Sequence, residues 1–167
     1  MNVWYSLSDI PGNEASVVTI GNFDGMHNGH KKVVSTCIER AHKLGVDAVA
    51  ITFDPHPIQV HKPEVGLQLI SPLRDRLDAM AAAGLDATLV AHYDASVYSL
   101  EAEEFVYEYL VERCGAREVV VGEDFRFGRG NAGTIDTLRE LGSRYGFGVI
   151  TVTDIEAPEG RRWSSSW

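Results

Sequence analysis

Short runs of β-branched and apolar residues alternate along this chain with longer stretches in which apolar residues recur every three or four positions, the pattern of βαβ units that build a parallel sheet. SVVTIG, Ser16 to Gly21, reads as the first strand. From His30 to Lys43 the spacing puts Val33, Val34, Cys37, Ile38 and Ala41 on one helical face, and Gly45 follows as a stop. AVAITF, Ala48 to Phe53, is the second strand. A proline-containing loop then leads to a helix with Ser71 as N-cap, Pro72 at the first helical position and Leu73, Leu77 and Met80 inward. ATLVAHY is the third strand. The helix after Ser99 carries Glu101, Glu103 and Glu104 in its first turn, where acids suit the dipole, and buries Phe105, Val106, Tyr109 and Leu110. EVVVG, Glu118 to Gly122, is the fourth strand, a helix with Ile135, Leu138 and Leu141 on one face follows, and GVITV is the fifth. The expectation is a single α/β domain over residues 1–167: a five-stranded, mostly parallel sheet with helices on both faces, without repeat or linker.

In open sheets of this kind ligands bind beyond the carboxyl ends of the strands. The loops there are GNFDGMHNGH, DPHPIQVHKPE, HYDASVYS, EDFRFGRGNAG and the segment after Val152, and they hold every histidine except His42, which sits mid-helix as a surface residue. Twenty-four acidic against fifteen basic residues give a net charge of −9. That sign disfavours a nucleic-acid polymer or an anionic membrane as partner. No apolar run approaches the roughly 20 residues of a membrane span, and MNVWYSLSDIPGNEAS has neither a basic start nor an apolar stretch of signal-peptide length, so the cytoplasm is the expected location. Cys37 and Cys114 lie far apart without metal or CxxC spacing and read as small buried hydrophobes.

The loop from Gly21 to His30 joins a buried strand to a helix N-terminus, where free N–H groups and the helix dipole favour an anion. Its glycines fit neither the GxGxxG nor the GxxxxGK[ST] phosphate fingerprint. Instead it carries His27-Asn28-Gly29-His30, in which Gly29 lets backbone approach a ligand and two imidazoles lie three residues apart. Histidines that merely cap a helix are the plain alternative, and a metal pair lacks an obvious third ligand. Phe53-Asp54-Pro55-His56-Pro57 fixes a rigid turn at a strand end, and Glu123 to Gly130 interleaves aromatics, cations and glycines able to stack on a ring and pair with a phosphate. Phe125 and Phe127 suit a core flanking a turn equally well. His61 and His92 belong to no motif. In so acidic a chain, anionic ligands need local cations, for which Arg126, Arg129, Arg161 and Arg162 are the candidates.

GNFDGMHNGH, FDPHP, VVVGEDFRFGRGNAG and the closing RRWSSS together resemble the FMN adenylyltransferase module of bacterial bifunctional riboflavin kinase/FAD synthetases, within the wider HxGH nucleotidyltransferase superfamily. The resemblance implies a Rossmann-like fold and the reaction of FMN with ATP to FAD and pyrophosphate, with Mg²⁺ accompanying ATP; no residue is singled out as a protein metal ligand. By resemblance, His27 and His30 act on the triphosphate and transition state. Gly21, Asn22, Phe23, Asp24, Gly25, Gly29, Asp124, Arg162, Ser165 and Ser166 form the ATP pocket, and Phe53, Asp54, Pro55, His56, Pro57, Phe125, Arg126 and Phe127 the flavin side. The family's closing Ser-Ser-Thr segment is followed by an arginine; here Ser166 stands for the threonine and Trp167 ends the sequence, so reduced activity is expected. The partner implied is a riboflavin kinase domain in a parent chain, and no kinase activity is expected from this one. Two other readings compete: a sister HxGH enzyme with another phosphorylated acceptor, and a non-catalytic flavin- or nucleotide-binding module. A hydride-transfer enzyme is disfavoured by the glycine spacing.

Overall fold

The structure, a computed structural model, describes residues 1–12, 14–23, 28–54, 61 and 72–153, with residues 28–30 described by their backbone alone. Six strands form one sheet: β1 (Asn2–Trp4), β2 (Ser16–Ile20), β3 (Asp47–Asp54), β4 (Ala87–His92), β5 (Ala116–Gly122) and β6 (Gly148–Val152). Their spatial order is β1-β4-β3-β2-β5-β6, and every neighbouring pair is parallel. The chain moves outward from β2 through β3 to β4, then crosses back to β5 and β6 on the other side of β2. The sheet therefore changes direction at β2, and the crevice beyond its carboxyl end is where a doubly wound sheet binds its ligand.

The helices are α1 (Asn28–Leu44), α2 (Leu73–Ala83), the short α3 (Ala95–Tyr98), α4 (Ala102–Phe105) running on as π-helical turns through Val106–Arg113, and α5 (Ile135–Tyr145). Right-handed crossovers that travel in opposite directions from β2 place their helices on opposite faces. One buried cluster accordingly joins Val33, Val34, Cys37 and Ala41 of α1 and Met80 of α2 to Val17, Ala48, Ala50 and Val120 of the sheet. The other joins Phe105, Val106, Tyr109 and Leu110 and, from α5, Leu138 and Leu141 to Val18, Ile20, Val49, Ile51, Leu89, Val119 and Val121. Alternate residues of each strand face alternate clusters, and strands apolar on both faces are what a parallel sheet covered on both sides requires.

The sheet has six strands where five were expected. The extra one, β1, is three residues long and pairs Asn2 with Ala87 and Trp4 with Leu89, so it has neither the length nor the alternation that marks a strand in sequence. A second correction concerns α2: Pro72 occupies the N-cap position with φ −57° and ψ 147°, one residue before the helix proper, and Ser71 lies outside the described residues. The widened helix Val106–Arg113 explains why buried positions fall at 105/106, 109/110 and 114, spaced by four and five. That spacing suits an i→i+5 turn better than an α-helix. Both cysteines are buried, and burial pushes each thiol up to about 12.

Candidate active site

At the carboxyl end of β2 the backbone leaves the sheet by a forced turn. The Gly21 N–H still donates to the Ile51 carbonyl at 3.0 Å, but two residues later Phe23 adopts a left-handed φ of 54°. Such a conformation costs a non-glycine residue roughly 1–2 kcal/mol. It turns the Phe23 ring back into the α1-side core, where it is 1% exposed. A Cβ on Gly21 would sit 3.2 Å from that ring, so the absent side chain leaves the room into which the ring folds. Of Phe23 the site is offered backbone only.

A buried polar group holds this turn in place. Arg76 of α2 is 2% exposed, and its Nη1 donates to the Asn22 carbonyl at 3.0 Å, to Thr52 Oγ1 at 3.3 Å and to the Phe53 carbonyl at 3.3 Å. Its Nη2 lies 3.7 Å from the Asp54 carboxylate. Thr52 Oγ1 in turn donates to the Asn22 carbonyl at 3.1 Å. Asn22 is 6% exposed, and its side-chain Oδ1 has no hydrogen-bond partner among the described residues. A buried acceptor left in that state favours a donor from a bound molecule. Just beyond, α1 begins at Asn28, which sets Gly29 and His30 in its first turn, where backbone N–H groups point out of the helix.

The opposite face presents rings instead of polar groups. A narrow apolar slot is lined by Ile20, Phe53, Tyr93, Val97, Tyr98, Phe105, Phe125, Arg126, Phe127, Gly128 and Asn131. Phe125 and Phe127 stack at 5.5 Å between centroids, and Phe53 meets Tyr93 edge-on at 5.7 Å. His61 joins this group: its Nε2 shares a 2.8 Å hydrogen bond with the Tyr93 hydroxyl, and its ring lies 5.0 Å from that of Tyr98. Partial burial raises the Tyr93 pKa, which keeps its hydroxyl neutral and able to bond.

The EDFRFGRG loop is fixed from two sides. Phe127 and Gly133 exchange backbone hydrogen bonds of 3.1 and 2.8 Å, and the Arg129 N–H donates to the Leu100 carbonyl at 2.8 Å. Gly128 has φ 78°, and a Cβ there would lie 2.9 Å from the Ala102 backbone, so only glycine lets the loop approach the start of α4 this closely. Asp124 and Arg126 are exposed, and Arg126 borders both the slot and an open polar cleft of about 320 Å³ that also involves Glu123, Thr134, Asp136 and Arg139. Arg129 points away from the slot toward Glu101, 3.7 Å distant.

The structure thus brings together, around the ends of β2, β3 and β5, the predicted Gly21, Asn22, Phe23, Phe53, Asp54, Phe125, Arg126 and Phe127, with Asp124 exposed at the end of β5 and Gly29 and His30 placed by the α1 backbone. Asp24, Gly25, His27, Pro55, His56, Pro57, Arg162, Ser165 and Ser166, with Arg161, lie outside the described residues. Sequence reasoning missed Arg76, His61, Tyr93, Tyr98 and Phe105 as site neighbours. For Arg76 a signal existed: it falls in the 73-76-77-80 stripe, an arginine among inward-facing positions. Among the described residues no group of three or more His, Cys, Asp or Glu side chains is arranged to hold a metal ion. No described helix is long and apolar enough to cross a membrane.

A doubly wound parallel sheet with a glycine-rich loop entering a helix N-terminus at its switch point defines a nucleotide-binding α/β domain. The family described as FAD synthetase matches residues 9–167, and the chain belongs to that family. Its class is nucleotidyl transfer in FAD biosynthesis. Over 162 residues it is 33% identical to the bifunctional riboflavin kinase/FMN adenylyltransferase of Escherichia coli, a match spanning 97% of this chain and 51% of that one. A Geobacillus thermodenitrificans protein provisionally named for the same two activities is 38% identical over 157 residues, 94% of this chain and 80% of that one. The chain thus spans about half the length of the E. coli relative and four fifths of the Geobacillus one. Among solved structures, one named as a macrolide-efflux protein from Streptococcus pneumoniae superimposes with a TM-score of 0.81 at 25% identity, over 96% of this chain and 53% of that one. Pantothenate synthetase from Thermus thermophilus, at TM-score 0.62 and 15% identity over 99% of this chain and 66% of that one, shares the fold.

Proposed function

We propose that this chain transfers AMP from ATP to FMN in the crevice beyond β2, giving FAD and pyrophosphate. The observation that carries the reading is the meeting, at one sheet edge, of a backbone-rich polar crest on the α1 side and an aromatic slot on the other. The first suits a triphosphate and the second a flat ring system.

In this reaction an oxygen of the FMN phosphate attacks the α-phosphorus of ATP, and the bond from that phosphorus to the bridging oxygen breaks as pyrophosphate leaves. No covalent enzyme intermediate is needed, so catalysis is positioning plus stabilisation of charge on the α-phosphoryl and the departing pyrophosphate. His27 and His30 donate hydrogen bonds to those oxygens, helped by the free N–H groups of the first turn of α1. Asn22, Gly21, Asp24, Gly25, Gly29, Asp124, Arg162, Ser165 and Ser166 take the rest of the nucleotide. Phe53, Phe125 and Phe127, with Asp54, Pro55, His56, Pro57 and Arg126, take the flavin. When bound, Mg²⁺ would neutralise charge on the ATP phosphates, the kind of oxygen ligand it prefers.

The proposal places the enzyme in the cytoplasm, joined in its parent protein to a riboflavin kinase module that supplies FMN. The test is pyrophosphate release from ATP on adding FMN, with nicotinamide and pantetheine phosphates as rival acceptors, on this chain and on one extended past the terminal serines. FMN-dependent release with the other acceptors inert is the expected result. Release with another acceptor alone points to a sister enzyme, and binding without release in either chain defeats catalysis.

A further inference from the structure

The guanidinium of Arg76 is buried among the inward-facing positions of α2. Burying a charge is costly unless its donors are well used. Its acceptors are not scattered. Among the described residues they cluster where β2 and β3 end: the Asn22 carbonyl, two residues past β2, and, at the end of β3, Thr52 Oγ1, the Phe53 carbonyl and, at longer range, the Asp54 carboxylate. Two of the donors in this group, Arg76 Nη1 and Thr52 Oγ1, converge on one acceptor, the carbonyl oxygen of Asn22.

That oxygen belongs to the peptide plane immediately before Phe23. Rotation about the N–Cα bond of Phe23 is its φ, and the plane on the N-terminal side of that bond is the one Arg76 and Thr52 grip. Holding the Asn22 carbonyl toward α2 is therefore what keeps Phe23 at φ 54°, against the ordinary preference of a non-glycine residue for negative φ. We propose that Arg76 is a positioning residue for AMP transfer, which touches no substrate but locks the angles at which the chain leaves β2 and β3, and so fixes the spacing between Asn22–Phe23 on one side and Phe53–Asp54 on the other. The claim rests on the functional reading above. A lysine cannot replace the arginine, because a single ammonium cannot reach four acceptors in the geometry of a planar fork.

The experiment compares wild type with Arg76→Met, Arg76→Lys and Thr52→Val, and with exposed Arg74→Ala as control, all in this chain. Turnover is normalised to folded protein and measured well below each melting temperature, alongside calorimetric ATP affinity. Misplacing reacting groups by an ångström costs up to about 100-fold; Arg76→Met is expected to lower kcat about tenfold or more and to weaken ATP binding, with Arg76→Lys intermediate and Thr52→Val down about threefold. A purely structural role would lower the melting temperature and leave kcat, KM and ATP affinity of the folded fraction at wild-type values, and that result overturns the proposal. If Arg76→Met does not fold, the lysine and valine variants decide by the same criterion. A wild type that releases no pyrophosphate sinks the functional reading instead, and ATP affinity then judges Arg76 by itself.

Discussion

The two faces of this sheet are equally buried and chemically opposite. Beneath α1 and α2 the upper ends of β2 and β3 turn inward Thr19 and Thr52, and Thr52 and the Asn22 carbonyl meet the Arg76 guanidinium. On the face covered by α4 and α5 the same strands carry Ile20 and Phe53 into a cluster of rings with Phe105, Phe125 and Phe127. A strand's alternation does not merely sort residues into core and solvent here. With both faces covered, at the upper ends of β2 and β3 it sends the hydroxyls of Thr19 and Thr52 to the α1 side and Ile20 and Phe53 to the other.

The division can be broken one face at a time. The largest effect is expected from His30→Ala on the polar side: removing a donor to developing charge lowers kcat roughly 100-fold, while FMN affinity, measured by fluorescence quenching, stays within about twofold. Normal turnover in that variant would remove the polar face from the chemistry. Phe125→Ala attacks the other side. Loss of one stacking partner worth about 1–2 kcal/mol raises the KM for FMN about tenfold and leaves that for ATP unchanged; an equal rise in both would show that the faces are not separate subsites.

The smallest effect concerns the frame that holds the faces together. Arg40 of α1 makes a bidentate pair with Glu118 of β5, two bonds of 2.7 Å, and the hydrogen bonds from Arg40 hold the Glu118 carboxyl below its ordinary range. A depressed carboxylate stabilises the fold above the unfolded-state pKa of about 4.3 and loses that contribution as pH falls through the folded-state value. Glu118→Gln should therefore lower the melting temperature by about 2–3 °C at pH 7, with the difference from wild type closing below about pH 4. A pH-independent difference would assign the loss to packing.

Much of this was legible in the chain itself. The strands β2 to β6 announced themselves because buried parallel strands are near-continuous apolar runs, and α1 and α5 because their inward residues keep helical spacing. β1 was silent, since three residues pairing with β4 more than eighty positions later leave no local pattern. The π-helical turns disguised themselves as an α-helix, because Phe105, Val106, Tyr109 and Leu110 satisfy both periods and only Cys114 separates them. In the site, the motif residues among the described ones, Gly21 to Phe23, Phe53, Asp54 and Phe125 to Phe127, fall at strand ends as their loops suggested, but the groups that hold them carried no motif. His61 matched no motif and became a neighbour of Tyr93 through folding alone. Arg76 matched no motif either: this buried arginine turns to carbonyl, hydroxyl and carboxylate oxygens of the chain itself.

The two cysteines give the molecule a practical property. Both thiols are buried, and burial pushes their pKa up, so each stays protonated and out of reach; neither Cys37 nor Cys114 competes for alkylating dyes while the fold is intact. For site-directed labelling the protein behaves as if it had no cysteine. A single new thiol placed on the exposed ring position of Tyr107 would carry a fluorophore alone, and the later appearance of two further reactive thiols would count unfolded molecules directly.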